Sequence, residues 1–233
     1  MTFFPNIKGE YKRNFQISKL TWFHSGGKAK IFCIPKDIDD LVNLIKETKR
    51  ISINIIGGGS NMLVRDGGIP GLAIKLGKGF DYIKIKKDHI LCGASIKNIN
   101  LSKKLAKENI RGYEFLSTIP GTLGGAIFMN AGCFGSEIKN LIKSVFVVNR
   151  NGKILELTRK MISFKYRYSG IKKNHIIIGA KLKIFSGKSS IINKKIKELI
   201  MIRKKTQPIK SLTGGSTFTN PKGKKPPGVK KER

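Results

Sequence analysis

Four short stretches of this chain hold residue types that can do chemistry. The first is GGGSN at 57–61, directly after the apolar run INII. Consecutive glycines let a backbone approach a ligand closely. Their N–H groups, with those of Ser60 and Asn61, can form a nest for phosphate oxygens. A dinucleotide fingerprint needs its glycines to open a helix, whereas SNMLVRDGG reads as turn and strand. GLAIKLGKG at 71–79 is not a Walker phosphate loop either, because one residue too many separates its glycines and Gly79 stands where Ser or Thr must bind magnesium. A plain glycine-rich turn is the alternative for 57–61; the Ser-Asn pair favours the ligand.

The second stretch, EFLSTIPGTLGGAIFMNAGCFGSEI at 114–138, sets Gly121, Gly124, Gly125, Gly132 and Gly135 among apolar residues, with Ser117, Thr118 and Asn130 as polar points. So many glycines make a poor isolated helix. They suit a large flat group pressed against the backbone, with tight helix packing as the alternative. The third, SFKYRYSG at 163–170, puts Tyr166 and Arg167 on a surface turn, where arginine can hold a carboxylate bidentately or stabilise developing negative charge. Alone it is weak, since most arginines in so basic a chain are simply solvated. The fourth, TGGSTFTNP at 213–221, places Ser216 among glycines, either as a tail linker or as a catalytic hydroxyl. His24, His89 and His175 are scattered, so no Ser–His–Asp or metal constellation emerges and hydrolysis is not supported.

These stretches need elements to hold them. KAKIFCIP (28–35) reads as a strand, and KDIDDLVNLIKETKR as a helix with Asp37 as N-cap and Ile38, Leu41, Val42 and Ile45 at helical spacing. ISINII returns to a strand that runs into the glycines. DYIKIKKDHILCGAS predicts a hairpin turning near Asp88, followed by a helix over about 96–109. SVFVVNRNGKILELT predicts a second hairpin with Asn151-Gly152 at a type I′ turn. NHIIIGAKLKIF is a strand, and SSIINKKIKELIMIRKK an amphipathic helix leading to the Ser216 motif. Interleaved strands, helices and antiparallel hairpins predict an α+β fold over a doubly wound sheet.

Composition narrows the class. The 233 residues can bury a real core. No secretory signal and no membrane-spanning apolar run is visible, which predicts no membrane insertion. Cys33, Cys92 and Cys133 lie far apart without a C-x-x-C pair, against a disulfide framework or zinc site and in keeping with a reducing cytoplasm. The net charge of +33 invites a nucleic-acid partner. Yet the lysines are spread over nearly every segment beside abundant isoleucine and asparagine, and no nucleic-acid recognition motif accompanies them. The charge reads as compositional drift that also attracts anionic ligands, with no specific nucleic acid as partner.

Taken together, TWFHSGGKA, IIGGGSNMLVRDGGIPGLAIKL, STIPGTLGGAIFMNAGCFGSEI, FKYRYS and QPIKSLTGGSTFTNP occur in the order found in UDP-N-acetylenolpyruvoylglucosamine reductases, and the chain resembles that family to about Lys225, in its shorter type II form. The resemblance implies a two-subdomain FAD-binding fold of the vanillyl-alcohol-oxidase type, with subdomains at 1–78 and 79–187. An α+β substrate domain begins at 188–233 and is incomplete. It implies bound FAD, NADPH as co-substrate, UDP-N-acetylglucosamine enolpyruvate as substrate, and a monomer. By the same resemblance Gly57, Gly58, Gly59, Ser60 and Asn61 cradle the FAD pyrophosphate, and Ser117, Thr118, Pro120, Gly124, Gly125 and Asn130 line the rest of the cofactor's path. Ser216 donates a proton to C2 of the enolpyruvyl group, Arg167 stabilises the enolate, and Tyr166 and Asn220 contact substrate. The family's further catalytic glutamate has no counterpart before Arg233, which implies little or no turnover by this chain.

Overall fold

The computed structural model describes residues 6–207 and Leu212. Ser216 and Asn220 lie outside the described residues. Two sheets share one core. The first has the order β1-β2-β4-β3, with β1 at Glu10–Gln16, β2 at Lys28–Ile34, β3 at Ile53–Ile56 and β4 at Ile69–Lys75. β4 runs parallel to both β2 and β3, and β1 closes one edge antiparallel to β2. Helix α1, Ile38–Glu47, makes the crossover from β2 to β3.

α1 starts where the sequence places it. Asp37 is extended and its Oδ1 accepts from Asp40 N at 2.9 Å. Leu41, Leu44 and Ile45 are fully buried against Ile31, Cys33, Leu72 and Ile74. Each such side chain contributes about 1.5–3 kcal/mol on burial. Asp40, also buried, turns its carboxylate to the backbone: Oδ1 accepts from Lys8 N at 2.7 Å, and Oδ2 from Gly9 N at 2.9 Å and Lys36 N at 2.8 Å. The chain entering β1 is thereby tied to α1.

The second sheet is antiparallel, in the order β10-β9-β11-β6-β5. It comprises β5 at Ile83–Ile85, β6 at Ile90–Gly93, β9 at Ile142–Val148, β10 at Ile154–Thr158 and β11 at Ile176–Leu182. Helix α2, Asn98–Lys107, follows β6; the short α3, Leu123–Phe128, and the two-residue strands β7, Gly132–Cys133, and β8, Ser136–Glu137, lie between α2 and β9. The long α4, Ser189–Thr206, packs on α2 through Ile192, Ile196 and Ala106.

The β9–β10 hairpin differs from the type I′ turn that Asn151-Gly152 suggests. Asn151 stays at negative φ, Gly152 alone has φ +75°, and Gly152 N donates to Asn149 O at 3.0 Å. This is a three-residue connection ending in a glycine bulge. The side chain of Asn149 selects it: Oδ1 accepts from Asn151 N at 2.9 Å and Lys153 N at 3.0 Å.

This hairpin also joins the sheets. Nη2 of Arg150 donates to the carbonyls of Thr48, Lys49 and Ile51 at 2.9, 2.9 and 2.8 Å. Those carbonyls follow the C-terminal end of α1, where backbone acceptors lack helical partners and the dipole favours a cation.

Candidate functional site

The glycine blocks meet where the two sheets face each other. Residues 57–61 leave the end of β3, and residues 119–122 lead into α3. A Cβ on Gly58 would stand 2.5 Å from the Gly121 Cα, so the two loops touch backbone to backbone. Gly59, at φ +69°, is pressed from the other side: its Cβ would fall 1.8 Å from Leu20 O, and its own carbonyl accepts from Trp22 N at 3.0 Å. TWFHSGG thus buttresses the triple glycine from behind.

Within this seam, among the described residues, the backbone N–H groups of Gly58, Gly59, Ser60 and Asn61 donate to no acceptor. Four successive free donors suit an anion of several oxygens. The hydroxyls of Ser60 and Thr122 stand at the same place: a Cβ on Gly121 would meet Ser60 Oγ at 3.0 Å, and one on Gly57 would meet Thr122 Oγ1 at 3.0 Å.

α3 shows how two adjacent glycines can serve different ends. Gly124 N donates to Ala94 O at 2.8 Å, and a Cβ there would meet the Ala94 Cβ at 3.0 Å. Gly124 therefore lets α3 sit close on the end of β6, which is the packing alternative. Gly125 is exposed, and its Cβ would meet only Thr122 Oγ1, at 3.7 Å. Its face of the helix stands open to a ligand. Thr122, with its hydroxyl at 3.5 Å from Gly125 N, caps the helix; the sequence signal was a threonine three residues before that glycine.

A second cluster begins at Thr118. Ser117 and Thr118 are buried, and their hydroxyls donate back to Glu114 O and Phe115 O at 2.7 and 2.8 Å. Thr118 Oγ1 is also 3.3 Å from Cys133 Sγ. Burial pushes the Cys133 thiol up, while Thr118, Arg203 and Arg167 draw it down. The Arg167 guanidinium hydrogen-bonds to β7, and that of Arg203 acts on Cys133 electrostatically. Burial lowers the pKa of Arg203, which α4 supplies. At the sequence level it was one cation of a basic helix end, and no local signal separated it from its neighbours. Pro120 lies between the clusters, and Thr118 and Gly121 stand within about 11 Å of each other by chain geometry.

Tyr166 and Arg167 form the tip of a tight turn closed by the paired backbones of Lys165 and Tyr168. Arg167 has φ +54°, a left-handed conformation that an arginine adopts at a cost of about 1 kcal/mol or more. Its Nη2 donates to Gly132 O at 2.7 Å, and its Cζ lies 4.8 Å from the centroid of the Tyr166 ring. Asn130 is buried, with Nδ2 donating to Lys165 O at 2.9 Å and Oδ1 accepting from Lys139 N at 3.2 Å. Both ends of its amide are engaged, so its path to the site runs through the turn that carries Arg167.

Residues 29–158 match the FAD binding domain family. The chain is 44% identical over 226 residues to the UDP-N-acetylenolpyruvoylglucosamine reductase of Rickettsia conorii, covering 97% of this chain and 77% of the relative. The chain belongs to the UDP-N-acetylenolpyruvoylglucosamine reductase family. The reductase of Rickettsia prowazekii is 43% identical over the same length. Among solved structures, the UDP-N-acetylenolpyruvylglucosamine reductase of Thermus caldophilus superposes with a TM-score of 0.81 at 27% identity, covering 94% of this chain and 77% of that one. Berberine bridge enzyme from Eschscholzia californica, at TM-score 0.59 and 15% identity over 79% of this chain and 42% of that one, shares the fold alone. The α+β fold of this UDP-N-acetylenolpyruvoylglucosamine reductase family member is thus an FAD-binding one, and FAD is its cofactor. The four-donor nest and the open face of Gly125 both fall within the FAD-domain match and suit a pyrophosphate-linked group. Among the described residues, no helix is long and apolar enough to cross a membrane.

Proposed function

We propose that this chain binds FAD along the seam and reduces the enolpyruvyl group of UDP-N-acetylglucosamine enolpyruvate with NADPH as reductant, giving UDP-N-acetylmuramate, as a cytoplasmic monomer. The observation that carries the reading is the row of free N–H groups from Gly58 to Asn61 beside the open backbone of Gly125. The cofactor lies between a first subdomain, 1–78, and a second, 79–187, with the substrate domain beginning at 188.

The bound flavin supplies hydride transfer between nicotinamide and substrate. The protein's own groups bind, orient and stabilise charge. Gly58, Gly59, Ser60 and Asn61 hold the pyrophosphate through backbone donors, and Gly57 brings the chain from β3 into them. Ser117, Thr118, Pro120 and Gly125 shape the wall beside the cofactor, Gly124 lets α3 sit close on Ala94 behind that wall, and Asn130 fixes the Arg167 turn. Arg167 uses one nitrogen on Gly132 O and keeps its remaining N–H groups for the substrate carboxylate, whose charge grows as the enolate forms. Tyr166 stacks on that guanidinium and orients it. Ser216 gives its hydroxyl proton to C2 of the reduced enolpyruvyl group, a feeble acid acting on a strong base; Asn220 holds the substrate beside it.

The test is the purified 233-residue chain with FAD and NADPH. Flavin absorbance that co-purifies, together with NADPH consumption dependent on the enolpyruvyl sugar, is the expected result. Flavin without substrate-dependent consumption would reduce the role to cofactor binding. A colourless protein that takes up no FAD would overturn the proposal.

A further inference from the structure

Helices α2 and α4 form one outer layer of the molecule. Both pack on the segment Glu114–Thr118 and on each other, with Ala106 of α2 against Ile192 and Ile196 of α4. Asn109 ties the end of one helix to the start of the other: its carbonyl accepts from Gly187 N at 2.8 Å and its Oδ1 from Ser189 N at 2.9 Å. The sides turned away from Glu114–Thr118 therefore make a single surface.

That surface is more one-sided in charge than the chain as a whole. Residues 97–111 and 188–206 expose eleven lysines and arginines against two acids, where the whole chain has 47 against 14. One of the two acids, Glu108, is already paired with Lys104. Aliphatic side chains stand among these cations. Ile191, Met201 and Ile202 are 64%, 56% and 46% exposed. With Lys194, Lys195 and Lys205 they occupy about a third of the circumference of α4, on the side away from the buried Ile192, Ile196 and Leu199.

The mixture selects the kind of partner. A nucleic acid would pair with the lysines, but exposed isoleucine and methionine gain nothing against phosphates. Residues 97–111 and 188–206 also contain no aromatic side chain on which a base could stack. An anionic bilayer surface uses both components: its headgroups attract the ammonium groups, and its acyl boundary takes up aliphatic side chains beneath them. We propose that the α2–α4 layer is a docking surface for an anionic lipid bilayer, on which the protein lies without spanning it. The cations reach the headgroups on flexible stems while Ile191, Met201 and Ile202 enter the boundary. Docking here is independent of the FAD reading above.

The experiment is co-sedimentation of the full chain with vesicles of phosphatidylcholine, alone or mixed with phosphatidylglycerol, at about 0.1 M and about 1 M salt. The chain should bind the mixed vesicles at the lower salt, leave them at the higher, and ignore pure phosphatidylcholine. Lys194→Gln with Lys195→Gln should weaken binding by about tenfold or more, since each lysine at an anionic surface contributes roughly fivefold. Met201→Ser with Ile202→Ser removes apolar contact and no charge, and should weaken binding about tenfold. Lys12→Gln with Lys30→Gln, an equal loss of charge on β1 and β2, should change it by less than about twofold. Absence of binding to the mixed vesicles at low salt overturns the proposal. A control pair that weakens binding as much as the α4 lysines also overturns it, because the attraction would then belong to the whole surface. So does full binding by the Met201 and Ile202 variant, which would leave a patch that attracts anions without seating in a bilayer. Duplex DNA that displaces the chain from the vesicles, and binds that variant as tightly as the parent, would assign the surface to nucleic acid instead.

Discussion

Replacing Gly125 with alanine separates a role in folding from a role in cofactor binding, because the two move in opposite directions. Gly125 is the third residue of α3, exposed, and its Cβ would meet nothing closer than Thr122 Oγ1 at 3.7 Å. Alanine there relieves the entropic cost of a helical glycine, about 0.5–1 kcal/mol. In a domain of this size that should raise the Tm of the FAD-free protein by about 1–4 °C. In the proposed binding mode the same methyl projects into the space assigned to the cofactor beside α3. Pushing the ligand out of line with one backbone donor removes a charge-assisted hydrogen bond of about 1.5–3 kcal/mol. The Kd for FAD should therefore rise roughly 10- to 100-fold. Calorimetry and flavin fluorescence titration on one preparation read both effects. Gly67→Ala is the control, since a Cβ there meets nothing within 4 Å: it also lowers the entropy of the unfolded chain, but the Kd for FAD should not move. A Gly125→Ala protein that gains stability and binds FAD as tightly as the parent would refute the placement of the cofactor.

Arg150→Ala removes three hydrogen bonds to the carbonyls of Thr48, Lys49 and Ile51. Urea unfolding should show a loss of about 2–4 kcal/mol, and Arg150→Lys should recover part of it, since all three bonds come from one nitrogen and an ammonium is also a multiple donor, on a different stem. Arg167→Gly relaxes a residue at φ +54° but removes its hydrogen bond to Gly132 O, so the two effects oppose and stability should change by no more than about 1–2 kcal/mol, while any substrate-dependent NADPH consumption falls by about 10²–10³. Asp88 sits with Lys143 and His89, whose hydrogen bonds hold its carboxyl down at about 2. Its ionised form favours the folded state, so this contribution is whole above the ordinary aspartate range near pH 4 and is lost as pH falls towards 2. Asp88→Asn should flatten the urea midpoint across that window, and an unchanged slope would show that the pair contributes nothing.

Much of the fold was legible because its signals are local. The Asp37 cap, the α1 stripe, the hairpin near Asp88 and the strands KAKIFCI and IIIGAKL need only spacing and turn chemistry, and they occur where that reading puts them. β1 was not visible. EYKRNFQ has five exposed residues followed by two half-buried ones, so it lacks the alternation that marks a strand with one buried face. The β9–β10 turn misled because the Asn149 side chain, not the Asn-Gly dipeptide, sets its geometry. Glycine counting found both halves of the seam without separating their purposes: Gly124 answers to Ala94, and Gly58 to Gly121, each distant in sequence. Arg203 and Arg150 stayed hidden for the same reason. An arginine in a lysine-rich chain acquires meaning only from partners that the fold brings to it.

The nest from Gly58 to Asn61 is built of main-chain donors and carries no formal charge, although it belongs to a chain of net charge +33. Attraction and grip are therefore divided between different parts of the molecule. With FAD seated as proposed, the field of the whole surface draws the anionic cofactor in and is screened by salt, whereas short backbone contacts decide how long it stays. Raising ionic strength should slow the arrival of FAD in stopped-flow mixing and leave its residence time almost unchanged. A residence time that shortened in step would instead show that surface lysines, not the backbone, retain it.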